Sequence, residues 1–130
     1  MNNIYFAHPV NTYNTELETE LLDIIAEHFP DYDIENPNQK KHEEGYQAFK
    51  RDHGSGMEYY FTQVLPNMDA GIFLPFEDGM FGAGVYKEAQ WLQDHGKPLY
   101  EINSAGTITD LVLSEERKLS VQETRSRVYP

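Results

Sequence analysis

The chain contains no cysteine, which excludes disulfides, thiolate nucleophiles and cysteine-based zinc sites. It also has no apolar run approaching the roughly 18 residues that a membrane-spanning helix needs. No basic segment precedes the first apolar stretch, residues 4–7, so no signal peptide is visible. These absences predict a soluble protein without a membrane segment. A reducing compartment, the cytoplasm, is the default expectation.

Positive charge is also scarce, with 10 Lys and Arg against 22 Asp and Glu and a formal net charge of −12. Binding of a nucleic-acid polymer depends mainly on Lys and Arg that neutralise phosphates, so the charge argues against such a partner. A nucleotide-sized ligand remains compatible with it. An acidic surface is equally typical of selection for solubility, and charge alone identifies no partner.

The 130 residues are predicted to form one domain, residues 1–130, in which short apolar strands alternate with amphipathic helices. Strands are predicted at residues 4–7, 32–35, 70–74 and 98–102, whereas 108–113 fits a strand or a helix. Helices are predicted from residue 15, over 57–64, over 84–94 and from residue 120. The polar segment 39–55 is predicted to be a short helix followed by a mobile loop at 52–56. This alternation predicts an α/β fold, a flavodoxin-like or Rossmann-like three-layer sandwich with a parallel sheet of four to five strands.

Capping signals mark the ends of three of these helices. Thr15 is followed three residues later by Glu18, and Ser120 by Glu123, which is the spacing of a capping box. Gly96 follows the helix over 84–94, where a glycine commonly ends a helix. The sequence therefore predicts two helix starts and one helix end.

The segment 69–98 carries the features that point to function. An apolar strand is followed by an acidic, glycine-rich loop and then by a helix that contains Glu88. Ligands of open α/β sheets bind at the C-terminal edge of the strands, where His8 and Asn36 are also expected. Gly82 and Gly84 permit a ligand to approach the backbone, and the amides of the helix N-terminus suit a phosphate.

Each candidate also has a purely structural interpretation. Glu88 is a nucleophile or base, or an exposed helical glutamate. Glu77 and Asp78 bind hydroxyls, or are solvated residues of a turn. His8 meets a ligand, or is a hydrogen-bonded structural histidine. No metal site is predicted, because the five histidines are scattered, and the glycine motifs of dinucleotide-binding, P-loop and serine-hydrolase proteins are absent.

Five short features follow one another along the chain: Tyr5 in the first strand, Asp69 before an apolar strand, Asp78 in the glycine loop, Glu88, and Gly-Lys-Pro at residues 96–98. Together they resemble the nucleoside 2-deoxyribosyltransferase family and the related 2-deoxynucleoside 5-monophosphate N-glycosidases. Glu88 stands nine residues before the lysine of Gly-Lys-Pro, the position that matches the family's nucleophile. The resemblance implies that Glu88 attacks C1 of a deoxyribose, that Tyr5 orients the carboxylate, and that Asp78 contacts the base or sugar and protonates the departing base.

The resemblance further implies a small-molecule nucleoside or nucleotide as partner, no cofactor, and a homo-oligomer. Besides the three catalytic candidates, the residues expected to bind substrate are His8, Asn36, Glu58, Glu77, Gly82 and Gly84.

Two departures indicate a divergent branch of that family. The family aspartate expected eight residues before Asp69 is replaced by Phe61, with Glu58 as the nearby substitute. Trp91 stands where the family has small residues. A non-catalytic nucleoside or nucleotide sensor of the same fold therefore remains an alternative, as does an acidic interaction protein without a pocket.

Overall fold

The structure, a computed structural model, describes residues 2–130 and contains one sheet of five strands. The strands are β1 Asn2–Ala7, β2 Tyr32–Glu35, β3 Ala70–Phe73, β4 Leu99–Ile102 and β5 Ile108–Asp110. Their order across the sheet is β2-β1-β3-β4-β5, and the neighbours among β1 to β4 pair in parallel. The predicted α/β class, a flavodoxin-like or Rossmann-like sandwich with a mostly parallel sheet, is confirmed.

The segment that fitted a strand or a helix contains strand β5, which runs antiparallel to β4. A tight turn joins the two strands, with the amide of Gly106 donating to the carbonyl of Asn103 at 2.9 Å. Such a short connection can join only antiparallel neighbours, because a parallel neighbour needs a long crossover.

Helices cover both faces of the sheet within residues 2–130. They are α1 Glu16–His28, α2 Lys40–His53, α3 Met57–Tyr59, α4 Ala83–Asp94 and α5 Val121–Val128. The short helix and mobile loop predicted in the polar segment were wrong, since α2 continues through His53 and ends at Gly54, whose φ is 80°. None of the described helices is long and apolar enough to cross a bilayer.

The single helix predicted over 57–64 was also wrong in form. After α3 the chain widens into a π-helical segment, Tyr60–Val64, and closes with a 3₁₀ turn, Leu65–Asn67. Tyr59, Tyr60 and Phe61 all pack against the core on the α4 side of the sheet. A regular α-helix turns 100° per residue and would direct one of three consecutive side chains outward, whereas the π segment turns less per residue.

Alternation along β1 divides the core into two parts. Ile4 and Phe6 pack with α1 on one face of the sheet, whereas Tyr5 and Ala7 pack with α4 on the other. All four side chains are almost completely buried. Tyr5 is therefore directed toward the helix that carries Glu88.

The glycine-rich loop after β3 is held by the C-terminal part of the chain. The Arg117 guanidinium pairs with both carboxylate oxygens of Glu101 on β4 at 2.8 and 2.7 Å, and its Nε donates to the carbonyl of Gly79 at 2.8 Å. The amide of Phe81 donates to the carbonyl of Arg117 at 2.7 Å. These bonds fix the loop before α4 begins.

Candidate functional site

The centre of the candidate site is a buried contact between β1 and α4. The hydroxyl of Tyr5 donates a hydrogen bond of 2.6 Å to Oε2 of Glu88, a residue 83 positions later in the chain. Tyr5 is 1% exposed and Glu88 is 6% exposed. The two residues that the resemblance implied would act together therefore lie in direct contact, and their catalytic role stays a prediction.

The two carboxylate oxygens of Glu88 are not equivalent. Oε2 accepts the bond from Tyr5, while none of the described residues donates a hydrogen bond to Oε1. Among those residues, no fully buried side-chain oxygen or nitrogen lacks a hydrogen-bond partner, so Oε1 must retain contact with solvent. Glu88 thus has one oxygen held by Tyr5 and one oxygen that accepts no hydrogen bond from the described residues.

Burial controls the acidity of this pair. It raises the pKa of Glu88 to about 8, and the hydrogen bond from Tyr5 opposes the rise only in part. Burial, and then the charge of Glu88, raise the pKa of Tyr5 well above its usual range, so the phenol remains a donor. At neutral pH the ligand-free pair is therefore mostly uncharged.

Aromatic side chains surround the pair. The ring of Tyr60, from the π segment, meets the ring of Tyr5 edge-on with centroids 6.4 Å apart. Burial and the charge of Glu88 raise the pKa of Tyr60, and of Tyr13 in the loop before α1, above the usual phenol range. No pattern in the sequence marks Tyr13 or Tyr60, because only the fold brings their phenols under the influence of the Glu88 charge.

Asp78 lies in an exposed turn and binds α5. Its carboxylate pairs with the Arg127 guanidinium at 2.8 and 2.7 Å, and Oδ1 accepts the amide of Met80 at 3.2 Å. Arg127 holds the pKa of Asp78 below its usual value. Within the described residues, no hydrogen bond links Asp78 to Tyr5 or Glu88, so the structure does not join all three catalytic candidates.

A cleft of about 590 Å³ opens at the C-terminal edge of the sheet, and Glu77, Asp78 and Arg127 line it together with Pro9 and Ser104. Apart from Arg127 of α5, these residues come from the segments that follow β1, β3 and β4, the edge at which ligands of such sheets bind. Glu77 is exposed there. Tyr5 and Glu88 do not line this cleft as it stands.

The two glycines before Glu88 differ in how tightly they pack within the protein, Gly82 closely and Gly84 at an ordinary van der Waals distance. Gly82 precedes α4, and the amide of Ala83 donates to Oγ1 of Thr124 on α5 at 2.9 Å. A Cβ on Gly82 would lie 3.1 Å from Cγ2 of Thr124, and one on Gly84 would lie 3.9 Å from Cε of Met57. The first amide of α4, a candidate phosphate donor, is therefore already occupied by α5.

His8 is almost completely buried at the end of β1. Its Nδ1 lies 3.0 Å from the carbonyl oxygen of Phe6, and its Nε2 lies 2.7 Å from Oε2 of Glu18. Both ring nitrogens are engaged and the side chain is 0% exposed. The predicted substrate contact by His8 would need these bonds to be exchanged.

The capping box predicted at α1 was half wrong. Thr15 caps the helix by accepting the amide of Glu18, but the Glu18 carboxylate does not return to Thr15. It accepts hydrogen bonds from the amide of Asn14 and from Nδ2 of Asn38. His8, Asn14 and Asn38 offer Glu18 several partners, whereas the N-cap amide would offer one.

Asn36 and Glu58, two further substrate-binding candidates, occupy different surroundings. Asn36 directs Oδ1 to the amide of Asn38 at 2.9 Å and so forms the turn after β2. Glu58 is exposed on α3, whereas Phe61, at the position of the missing family aspartate, packs against the core. In the part of the chain that is described, no three His, Asp or Glu side chains come together to hold a metal ion.

A second polar network lies on the same face of the sheet as Tyr5. Glu35 of β2 is the register partner of Tyr5, and its Oε1 lies 2.6 Å from Nε2 of His42 on α2. Nδ1 of His42 lies 2.7 Å from the hydroxyl of Tyr59, which precedes Tyr60. This network fixes α3 against α2 and β2, and the scattered spacing of its residues gave no signal in the sequence.

In comparisons with known proteins, no family model, no curated protein and no solved structure matches this chain. The resemblance to the deoxyribosyltransferases accordingly depends on the short motifs quoted above.

Proposed function

We propose that the protein cleaves the N-glycosidic bond of a deoxynucleoside or nucleotide, or exchanges its base, with Glu88 as nucleophile. The observation that carries this proposal is the buried contact in which Tyr5 holds Oε2 of Glu88 and leaves Oε1 accessible. A carboxylate with one oxygen fixed by a donor is oriented for attack by the other. The motifs around both residues supply the class of substrate.

The reaction proceeds in two displacements. Oε1 of the Glu88 carboxylate forms a bond to C1 of the sugar while the bond from C1 to the base nitrogen breaks, and its electron pair leaves with the base, which takes up a proton. The product is a glycosyl ester of Glu88. Water, or the nitrogen of an acceptor base, then attacks C1, gives up its proton to the solvent and releases the Glu88 carboxylate, giving hydrolysis or transfer.

The acidity of Glu88 determines when this step occurs. With a pKa of about 8, only about a tenth of the molecules carry the carboxylate form at pH 7. Positive charge that develops on the sugar in the transition state favours that form, so binding and attack restore the anion. The proposal therefore requires activity that rises with pH toward about 8.

A nucleoside fits the site better than a monophosphate. The two arginines nearest the glycine-rich loop are both paired, Arg127 with Asp78 and Arg117 with Glu101. The first amide of α4 is occupied by Thr124. A phosphate would need to displace one of these partners, whereas a neutral sugar and base would not.

A second candidate function is a sensor that binds a nucleoside or nucleotide without turnover. The low exposure of Glu88, 6%, favours it, because a carboxyl held protonated by burial is a weak nucleophile. The engagement of Asp78 by Arg127 favours it too, since the implied proton donor for the base is already paired. Such a protein would retain the pocket and lack the chemistry.

One assay separates the two functions. The purified chain is incubated with a panel of deoxynucleosides, with and without an acceptor base, and the bases are resolved by chromatography. Free base indicates a hydrolase, exchanged base a transferase, and calorimetric binding without either product indicates the sensor. A deoxyribosyl mass adduct on the peptide containing Glu88 would identify the nucleophile. No product and no binding across the panel would refute both functions.

A further inference from the structure

His8 and Glu18 form a pair that is buried from solvent and hydrogen-bonded within the protein. His8 is 4% exposed and Glu18 is 6% exposed, and Nε2 of His8 lies 2.7 Å from Oε2 of Glu18. The other ring nitrogen, Nδ1, lies 3.0 Å from the carbonyl oxygen of Phe6. The pair thus joins the end of β1 to the first turn of α1.

Counting protons shows what this geometry requires. The carbonyl oxygen of Phe6 can only accept a hydrogen bond, and an ionised Glu18 carboxylate can only accept one. A neutral imidazole has one N–H, so either tautomer satisfies one contact and leaves a lone pair of nitrogen facing an oxygen in the other. Both short distances are satisfied only when an additional proton is shared by His8 and Glu18.

The donors around Glu18 indicate which member of the pair carries that proton. Besides His8, the amide of Asn14 donates to Oε1 at 3.2 Å, and Nδ2 of Asn38 donates to both oxygens at 3.0 and 3.1 Å. Although burial acts to raise the pKa of Glu18, these bonds and the one from His8 lower it. When the pair holds this proton, the carboxylate is therefore the anion and His8 is the imidazolium.

The same bonds connect two loops that border the C-terminal edge of the sheet. Asn14 belongs to the loop between β1 and α1, and Asn38 to the loop between β2 and α2; Nδ2 of Asn38 also donates to Oδ1 of Asn14 at 3.0 Å. Tyr13 packs its ring against the ring of His8 with centroids 4.8 Å apart. Tyr13 is also close enough to Glu88 for the charge of Glu88 to affect the Tyr13 phenol.

We propose that His8 and Glu18 form a proton-dependent latch. With the additional proton the pair makes both bonds and fixes the loops that carry Tyr13, Asn14 and Asn38, and without it His8 keeps only one of its two bonds and the loops loosen. The latch is a property of the fold and does not depend on the proposed reaction. Its position next to Tyr13 connects the loosened segment to a side chain whose pKa the charge of Glu88 raises.

The direction of the pH dependence follows from the buried histidine. Burial lowers the pKa of His8, and the bonds to Glu18 and to the Phe6 carbonyl oppose this only in part. The latch therefore holds at pH values below the lowered pKa of His8 and loosens as the pH rises through it. Among the described residues, the titratable group that faces the His8 and Glu18 pair is Tyr13, from the loop between β1 and α1. Glu88 of α4 acts on Tyr13 through its charge. The loop between β2 and α2 contributes only the neutral Asn38.

The test is a nitrogen NMR titration of the ¹⁵N-labelled full chain between pH 5 and pH 8.5. At the acidic end we expect both ring nitrogens of His8 to carry protons. As the pH rises, one proton should leave in a single transition, and the amide of Asn14 and the side-chain amide of Asn38 should shift with the same midpoint. A His8 that keeps one protonation state throughout, or loop signals that ignore its transition, would overturn the latch.

The variant Glu18→Gln supplies a matched comparison. A glutamine amide can donate to Nε2 of a neutral His8 and still accept from Asn14 and Asn38, so the geometry then needs no additional proton. The linked loop transition should disappear in this variant and persist in the control His53→Gln, which changes an exposed histidine of α2. Persistence in Glu18→Gln would contradict the proposal. The variant Glu88→Gln should keep the transition even if it lacks turnover, which separates this test from that of the proposed function.

Discussion

Two carboxylates ten residues apart in the chain, Asp78 and Glu88, occupy opposite environments. Asp78 lies in an exposed turn and pairs with the Arg127 guanidinium, whereas Glu88 lies in the core and accepts one hydrogen bond from Tyr5. Arg127 lowers the pKa of Asp78, and burial raises that of Glu88 to about 8. The first is anionic at every physiological pH, and the second takes up or releases a proton near neutrality.

The difference shows that burial and neighbouring charges give two carboxylates, close together in the sequence, different chemical properties. A paired, solvated carboxylate holds two segments together, here the turn after β3 and helix α5, and its charge is screened by salt. A buried carboxylate with one free oxygen changes its charge when a ligand displaces water or supplies positive charge. Glu88 therefore has the properties of a reactive group, and Asp78 those of a tether.

The largest expected effect tests Glu88 as nucleophile. The variant Glu88→Gln keeps an oxygen for the Tyr5 hydroxyl but has no carboxylate, so we expect base release or exchange to fall at least about 10³-fold. Chromatographic rates for the wild type and the variant measure this, and circular dichroism confirms that the variant is folded. Turnover within about tenfold of the wild type would exclude Glu88 as nucleophile.

The same carboxyl should make stability depend on pH. Because its pKa is raised from 4.5 to about 8 in the folded state, its contribution to stability is present below pH 4.5 and is lost as the pH rises through 8. The loss has an upper limit of about 5 kcal/mol in the free energy of unfolding. Urea unfolding of the wild type and Glu88→Gln at several pH values should give curves that diverge above pH 5, and parallel curves would disprove the assigned burial effect.

Tyr5 donates a hydrogen bond to Glu88 and not to Asp78, and its removal should change the acidity of Glu88 alone. In Tyr5→Phe, Oε2 of Glu88 loses its hydrogen bond, so its pKa should rise further and the ascending limb of the kcat/KM profile should move to higher pH. We expect kcat/KM at pH 7 to fall by roughly 10- to 100-fold, the effect of one hydrogen bond to a charged group. The control Tyr100→Phe removes a hydroxyl from β4 on the other face of the sheet and should leave the profile unchanged.

The fold could be predicted because its signals are local. The apolar stretches in β1 and β3 and the box formed by Ser120 and Glu123 each lie within a few residues, and the structure contains all of them. Gly96 follows α4 with a φ of 72°, the left-handed conformation expected there. The antiparallel direction of β5 was not predicted, because residues 108–113 alone did not distinguish strand from helix.

The candidate site was predictable only in part, since its contacts join distant positions. The family resemblance predicts that Tyr5 and Glu88 act together, but no local pattern predicts Tyr60 beside them. Glu18 was assigned to its nearest amide, while its actual partners, His8 and Asn38, lie 10 and 20 residues away. Sequence spacing predicts which groups lie close together along one helix. It does not predict which donors from other segments the fold brings to a buried carboxylate.

The smallest expected effect concerns Asp78 and compares the two acids directly. Asp78→Asn removes the charge that pairs with Arg127 in an exposed turn, so the melting temperature should fall slightly at low salt and the difference should vanish at high salt. The wild-type contribution is lost as the pH falls through the lowered pKa of Asp78, so both proteins should converge in acid. Turnover should remain close to that of the wild type if Asp78 is only a tether. A loss as large as that of Glu88→Gln would instead show that the ion pair opens on substrate binding and that Asp78 supplies the proton for the base.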